Sequence, residues 1–277
     1  MSNIELSASI VLYHNDPKQI QKVIESFFQT SHNVSLYLVD NSKDNSLQTL
    51  AQLDERIEYI FNDANLGYGA GHNIALKKAI QADIAYHVIL NPDLVFDGKE
   101  VIDRLYMYMQ ENRDVANIMP RILYPDGSNQ YLAKLLPTPF DWIVRRFLPS
   151  SWTQKMTQKF ELRYTGYDKI MNVPFLSGCF MFLRVDALKD IGLFDDNIFM
   201  YMEDVDLNRR LHQNYKTLYY PDVSVFHEYA RGSHTNYKLL RISIQSSIYY
   251  FNKWGWFFDK QRDDMNRKIL QETHYYG

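Results

Sequence analysis

Carboxylates, amides and a glycine-rich turn stand at the ends of apolar runs in this chain, where a fold could bring them to one place. The sharpest instance is His87-Val88-Ile89-Leu90-Asn91-Pro92-Asp93. Its first four residues read as a buried strand. Pro92 ends that strand, because proline cannot donate to a sheet ladder and drives the preceding Asn91 into an extended conformation. Asp93 is thereby held just past the carboxyl end of a strand, the edge at which open α/β sheets bind their ligands. A carboxylate there, with an amide two residues before it, suits a hard divalent cation that shares its other oxygens with a diphosphate. The run Met200-Tyr201-Met202-Glu203-Asp204-Val205-Asp206-Leu207 crowds three carboxylates into the start of a helix. The helix dipole favours acids at that position. The apolar, aromatic residues before them also make a partly dry setting, which raises a carboxylate's pKa toward that of a general base. Adjacent helical residues point about 100° apart, so only one of Glu203 and Asp204 can face a given hydroxyl. The residues alone do not choose between them.

Other groups fit the same edge. Asn65-Leu66-Gly67-Tyr68-Gly69-Ala70-Gly71 could offer backbone N–H groups and a helix start to an anion. It is not the dinucleotide fingerprint, since it follows the third strand and its spacing differs. Asp40 ends the second strand and His227 ends a later apolar one. Each feature also has a plain structural reading: an Asx turn, a helix entry, a strand-ending cap, a packed histidine.

The elements that must position these groups follow from periodicity. Strands are expected at residues 6–13, 34–39, 57–61 and 87–90. Between the first two, Ile20, Val23, Ile24 and Phe27 recur at helical spacing after the start signal Asp16-Pro17. A second helix runs from the glycine turn through Ala82. Alternation of this kind gives an α/β, doubly wound, mostly parallel sheet. Beyond it, residues 115–119 and 175–184 have strand character, 203–215 reads as a helix, and 216–220 and 223–227 as two short strands. Residues 135–172 show no sustained period and read as a long irregular insertion. After Gly232 the chain turns helical again, so residues 1–235 form one expected domain and 236–277 a helical extension.

Composition narrows the classes. The chain has 277 residues, enough for one large domain with a substantial core. A net charge of −3 and a pI near 6.2 give no reason to invoke nucleic acid. Cys179 is the single cysteine, which excludes an internal disulfide and points to a reducing compartment. No basic leader precedes an apolar core at the N-terminus, and no window holds 18 uninterrupted apolar residues. The expectation is a cytoplasmic protein, soluble or peripheral at the inner face of the plasma membrane.

Taken together, the set resembles an inverting glycosyltransferase of the GT-A type in the large family 2, and is most similar to bacterial rhamnosyltransferases of O-antigen and related polysaccharides. The likeness rests on Val39-Asp40-Asn41-Ser42, Asn65-Leu66-Gly67-Tyr68-Gly69 with His72-Asn73, Leu90-Asn91-Pro92-Asp93, Ser177-Gly178, Gly192-Leu193-Phe194-Asp195, the Glu203-Asp204 run with Arg210, and His227. It implies a GT-A fold and a nucleotide-sugar donor, with dTDP-L-rhamnose the first choice. The acceptor it implies is a hydroxyl of a polyprenyl-linked glycan. By the same resemblance Tyr13, Asp40, Asn41, Asn65, Gly67, Gly69, Asn73, Asn91, Asp93, Ser177 and Gly178 would line the donor pocket. Asn91 and Asp93 occupy the metal-binding position and His227 matches a third ligand, a set suited to Mg²⁺ or Mn²⁺. Asp204 matches the catalytic base, with Glu203 and Arg210 in support. Asn91 stands where the usual motif has an aspartate, which removes one charge from the metal position.

Three other readings are weighed against this one. A nucleotidyltransferase would need a glycine-rich basic signature after the first strand, where this chain has Tyr13-His14-Asn15-Asp16. A non-catalytic nucleotide-sugar or glycan-binding assembly protein would not need Glu203, Asp204 and His227 intact. A transferase using a UDP-hexose or UDP-galactofuranose would share every motif. Trp254, Trp256, Phe257 and Phe258 beside Lys253, Lys260 and Arg262 form an aromatic and basic cluster, and Trp142, Arg145, Arg146, Phe147 and Trp152 form another. Both suit a membrane surface, and both equally suit internal packing or a homo-oligomer interface.

Overall fold

The structure, a computed structural model, describes residues 4–141, 150–228 and 237–275. The expected boundary at residue 235 lies outside the described residues, as do Trp142, Arg145, Arg146 and Phe147.

The first half builds as its pattern dictates. Strand β1 (Leu6–Leu12) pairs in parallel with β2 (Val34–Asp40) and β4 (Tyr86–Leu90), and β2 pairs in parallel with β3 (Ile57–Phe61). Between β1 and β2, helix α1 (Pro17–Phe27) starts where the Asp16 side chain accepts the Lys18 N–H at 3.0 Å and Pro17 pre-sets the first turn. It buries Ile20, Val23, Ile24 and Phe27, the face expected from spacing. Helix α2 (Tyr68–Gln81) crosses from β3 to β4, and α3 (Gly98–Glu111) follows β5 (Leu94–Val95).

The second half completes the sheet less predictably. Its order is β3-β2-β1-β4-β10-β6-β11-β5, where β6 is Val115–Leu123, β10 is Phe180–Arg184 and β11 is Lys216–His227. β10 enters between β4 and β6 and runs antiparallel to both. Antiparallel travel lets the chain enter the sheet at Phe180, beside Leu90, on the edge where the parallel strands end. Residues 177–179 are therefore delivered to that edge. The two short strands expected at 216–220 and 223–227 are one strand, β11, whose register against β6 shifts between Tyr220 and Ser224. Pro221, which brings no N–H, lies inside that irregularity.

The region expected to be an irregular insertion contributes to the core. Helix α4 (Ser150–Phe160) lies within it, β8 (Met171–Asn172) pairs with β11, and β7 (Ala133–Lys134) pairs with β9 (Phe175–Leu176). Leu135, Leu136, Phe160, Leu162 and Tyr167 are buried. Helix α5 (Val185–Ile191) follows β10, and α6 (Glu203–Asn214) carries the acidic run.

Helices α7 (Tyr237–Trp254) and α8 (Lys260–Glu272) are tied to α6 by side chains. Arg209, 1% exposed, makes a two-pronged bond to Asp259 at 2.7 and 2.6 Å and lies 4.0 Å over the Trp254 ring. Asp206, fully buried, accepts from Trp254 Nε1 at 2.8 Å, Lys253 Nζ at 2.9 Å and Arg210 Nε at 2.9 Å. The aromatic cluster expected near residue 255 thus divides. Trp254 and Trp256 pack inward with Tyr250, Phe251 and Met202, and Arg262 is buried. Phe257 and Phe258, 79% and 97% exposed, point away at the turn between α7 and α8. Among the described residues no helix is long and apolar enough to cross a membrane.

Candidate active site

The expected site residues converge at the carboxyl edge of the sheet, but not all face the same way. At the β1 and β2 ends, Tyr13 is exposed and the neighbouring His14 N–H donates to Ser42 Oγ at 2.9 Å, clipping the two strand ends together. Asp40 is fully buried, accepting from the Ser42 N–H at 2.8 Å and from the Tyr59 hydroxyl at 2.6 Å. Its carboxylate braces the edge in this arrangement. Asn41 donates to the Gly67 carbonyl at 3.0 Å and accepts from Asn62 at 2.8 Å, and exposed Asn65 accepts the Gly67 N–H at 3.1 Å.

The first N–H groups of the glycine-rich turn are given to protein acceptors. Gly67 has φ +90°, and a Cβ there would lie 2.2 Å from the Phe199 carbonyl oxygen. Only glycine permits both the conformation and the approach. The Tyr68 N–H, at the helix start, is donated to that same carbonyl at 2.9 Å. Gly69 packs against Phe194, and Asn73 exchanges bonds with the Phe194 backbone and with Asp196 Oδ1 at 2.6 Å. Gly69 and Asn73, expected to line the donor pocket, join α2 to the segment that leads into α6.

One tyrosine links the two chemical ends of the site. The Tyr68 hydroxyl donates to the Gly178 carbonyl at 2.7 Å and meets Asn91 Oδ1 at 3.0 Å. The Gly178 N–H donates to Asp204 Oδ2 at 2.9 Å, and the Val205 N–H donates to Asp204 Oδ1 at 2.8 Å. Ser177 lies beside them, its N–H on the Leu132 carbonyl at 3.2 Å. On the other side of Tyr68, Asn91 Nδ2 is 3.3 Å from His227 Nε2, which is 3.1 Å from Asp93 Oδ1. Asp93, Asn91, Gly178 and Asp204 are therefore joined by one run of contacts through Tyr68 and His227. In the sequence Tyr68 stands out only as part of the glycine motif, with no place of its own in the site. Its position between Gly67 and Gly69 was the available signal.

The electrostatics separate the two acids. Burial, and then the Asp204 charge, push the Glu203 carboxyl well above the usual range. Glu203 is 5% exposed and its Oε2 has no hydrogen-bond partner. Burial also raises Asp204, but the Gly178 and Val205 N–H groups and the Lys134 charge oppose the rise. Asp204 is less enclosed than Glu203. The arrangement can hold the proton on Glu203 and leave Asp204 ionised and reachable. Lys134, on β7, is a charge that sequence reasoning missed, and no motif announces it. Arg210 is directed elsewhere, to the Ile191, Gly192 and Leu193 carbonyls at 3.0, 3.2 and 2.6 Å and to Asp206. It fixes the loop before α6 and gives no bond to Asp204.

Among the described residues no three His, Cys, Asp or Glu side chains gather where they could hold a metal. Asp93 and His227 do form a pair suited to one edge of a cation. Asp93 Oδ1 is buried and accepts no well-directed hydrogen bond although His227 Nε2 is close by. A carboxylate oxygen and an imidazole nitrogen aimed at each other fit a cation whose remaining oxygens come from a diphosphate. Asn91 faces this pair with its nitrogen, its oxygen being turned to Tyr68. It could become a ligand only by a half-turn of the amide, which a tyrosine hydroxyl, able to donate or accept, would allow.

Residues 9–192 match the family described as Glycosyl transferase family 2. The chain belongs to that family. Among its family 2 relatives, the N-acetylglucosaminyl-diphospho-decaprenol L-rhamnosyltransferase of Mycobacterium tuberculosis is 30% identical over 219 residues, covering 74% of this chain and 69% of its own. The rhamnosyltransferase WbbL of Escherichia coli K12 is 25% identical over 252 residues, 87% of this chain and 90% of its own. Two solved structures share the GT-A fold. GalNAc-T7, crystallised with UDP, GalNAc and Mn²⁺, aligns with a TM-score of 0.63 at 14% identity, over 98% of this chain and 57% of its own. TarS of S. aureus aligns with a TM-score of 0.57 at 14% identity, over 99% of this chain and 44% of its own. The expected family 2 membership and α/β GT-A architecture are both present.

Proposed function

We propose that this glycosyltransferase moves L-rhamnose from dTDP-L-rhamnose to a hydroxyl of a polyprenyl-diphosphate-linked glycan, with inversion at the anomeric carbon. One observation carries the reading: an unbroken line of contacts runs from Asp204 through Gly178 and Tyr68 to Asn91, His227 and Asp93. It sets a candidate base and a candidate diphosphate corner on either side of one tyrosine. The choice of sugar and of lipid carrier is supported by the names of the two rhamnosyltransferase relatives, one of which acts on a decaprenol diphosphate.

Asp204, oriented by two backbone N–H groups, takes the proton from the acceptor hydroxyl. That oxygen forms its bond to the anomeric carbon on the face opposite the nucleoside diphosphate, and the bond to the diphosphate breaks in the same displacement. Glu203 holds its proton and keeps a second negative charge away from Asp204. Tyr68, held protonated by burial and by the nearby Asp204 and Asp93 charges, fixes the Gly178 carbonyl and Asn91 together. A divalent cation, Mg²⁺ or Mn²⁺, held by Asp93 and His227 would neutralise charge on the departing diphosphate. The outward turn carrying Phe257 and Phe258 would meet the bilayer from which such an acceptor is drawn.

The deciding experiment offers dTDP-L-rhamnose, UDP-hexoses and UDP-galactofuranose, each with a polyprenyl-diphosphate N-acetylglucosamine acceptor, and reads product and anomeric configuration by NMR. Transfer from dTDP-L-rhamnose with inversion is expected, and it should stop in thoroughly chelated enzyme. Preferred transfer from another donor would overturn the sugar assignment, and undiminished turnover after chelation would remove the cation.

A further inference from the structure

Gln130 lies between β6 and β7, is buried, and appears in no motif. Its backbone N–H donates to the Ile122 carbonyl at 3.0 Å, which brings its side chain to the end of β11. There it grips one residue twice. Gln130 Nε2 donates to the His227 carbonyl at 2.9 Å, and Gln130 Oε1 lies 2.9 Å from His227 Nδ1. Nε2 also reaches the Leu123 carbonyl at 3.3 Å.

This amide has one sensible orientation. Turned over, its oxygen would face two carbonyl oxygens and both of its donors would be lost to them. With Oε1 fixed as an acceptor, the proton of a neutral His227 ring belongs on Nδ1, and Nε2 carries the lone pair. Nε2 is the atom directed at Asp93 Oδ1 and Asn91. In the other tautomer, Nδ1 and Oε1 would be two acceptors in contact, and an N–H would occupy the space a cation needs; in the Nδ1–H form the two facing acceptors are Nε2 and Asp93 Oδ1, 3.1 Å apart, the pair that a cation would join.

We infer that Gln130 is a positioning residue that selects the His227 tautomer able to ligate a cation through Nε2. The inference rests on the proposed metal corner at Asp93 and His227. Outer partners of this kind orient a ligating imidazole, and their loss typically weakens metal affinity about 10–100-fold.

The full chain is titrated with MnCl₂, with and without dTDP, and free Mn²⁺ is read by electron paramagnetic resonance. Gln130→Met keeps length and burial but removes every bond of the amide, and should weaken Mn²⁺ binding about 10–100-fold. Gln130→Glu retains an oxygen for the Nδ1 proton in either protonation state and should stay near wild-type affinity, even if both variants melt earlier. Equal loss of affinity in the two, or no loss in Gln130→Met, would overturn the inference. A second measurement does not depend on either variant folding. Nitrogen-15 shifts of the imidazole in the metal-free wild type at alkaline pH, assigned against His227→Gln, should show Nδ1 protonated. Protonation at Nε2 would refute the inference directly. Failure of the wild type itself to bind Mn²⁺ under either condition is a different outcome, which removes the metal corner and the inference with it.

Discussion

Asp204 and Asp206 are two residues apart, and their substitution by asparagine should have opposite consequences. Asp206→Asn is a lesion of stability. Asp206 is fully buried and accepts from Trp254, Lys253 and Arg210. Hydrogen bonds to a charged group contribute about 1.5–3 kcal/mol each. Asparagine keeps one oxygen, Lys253 retains Asp195 at 2.7 Å, and Arg210 retains three carbonyls. The net loss should therefore be about 2–3 kcal/mol, less than the roughly 3–5 kcal/mol of a buried pair broken outright. For a domain of this size that corresponds to a Tm lower by roughly 4–6 °C. Asp204→Asn is the converse. It gives up one of two N–H bonds but also removes a carboxyl whose ionisation burial opposes, so stability should stay within about 1 kcal/mol of wild type. Transfer should fall by about 10²–10⁴-fold, or roughly 3–5 kcal/mol of barrier, with donor affinity retained. Urea unfolding, donor titration and transfer rates at a temperature where both variants are folded make the comparison. A stable Asp206→Asn enzyme that has lost transfer as severely as Asp204→Asn would refute the division of roles, and so would a Glu203→Gln loss exceeding that of Asp204→Asn.

Other perturbations follow from the same geometry. In Gly178→Ala the new Cβ would lie 3.2 Å from Asp204 Cβ and 3.5 Å from Tyr68 Cε1, so the base must shift by a few tenths of an ångström. Since a misplacement of about 1 Å can lose about 10²-fold, a roughly tenfold lower transfer rate with unchanged donor affinity is expected, and an unaffected rate would argue against Asp204. Phe257→Ser combined with Phe258→Ser should abolish flotation with anionic liposomes and leave transfer to a water-soluble acceptor intact; equal flotation of the variant would remove the lipid-facing role. Burial lowers His87 to about 3, so the unfolded chain binds this proton more readily, and stability is lost as pH falls from about 6.5 toward 3. The slope attributable to this one histidine approaches ~1.4 kcal/mol per pH unit. His87→Gln should flatten it in urea titrations between neutral and mildly acidic pH, and an unchanged slope would point to other groups.

The sequence made the first sheet legible because its parallel strands are near-continuous apolar runs punctuated by Pro, Asp and Gly, and the helices between them keep a 3.6-residue period. It did not reveal that β10 is antiparallel, since a strand buried on both faces reads alike in either direction. Nor did it show that 216–227 is one strand, because Pro221 and Asp222 look like a turn when the bulge that accommodates them is unseen. The positions of Asp93 and His227 at one edge followed from strand endings, whereas Asp204, at a helix start, was joined to them only by the family resemblance. The inward set of Arg210 and the bracing use of Asp40 depended on partners off their own element, and Gly69 and Asn73 depended on Phe194, more than a hundred residues away. Gln130 and Lys134 had no local pattern at all. Their importance arises only in the fold, where Gln130 meets the end of β11 and the Lys134 charge acts on Asp204 of α6.

The insertion of β10 beside β4 also sets the order in which the chain can fold as it is made. Leu90 pairs with Phe180, so the apolar edge of β4 (Tyr86–Leu90) must wait for about 90 further residues before its partner exists. At a synthesis rate of about 5–20 residues per second the wait is on the order of 5–20 s. Throughout it, a fully buried central strand of the mature protein is an unpaired edge, the kind of template on which sheets of neighbouring chains add. Fragments that stop short of residue 180 should therefore aggregate although β1 to β4 are complete, and nascent chains of this enzyme have a physical reason to need a chaperone during that interval.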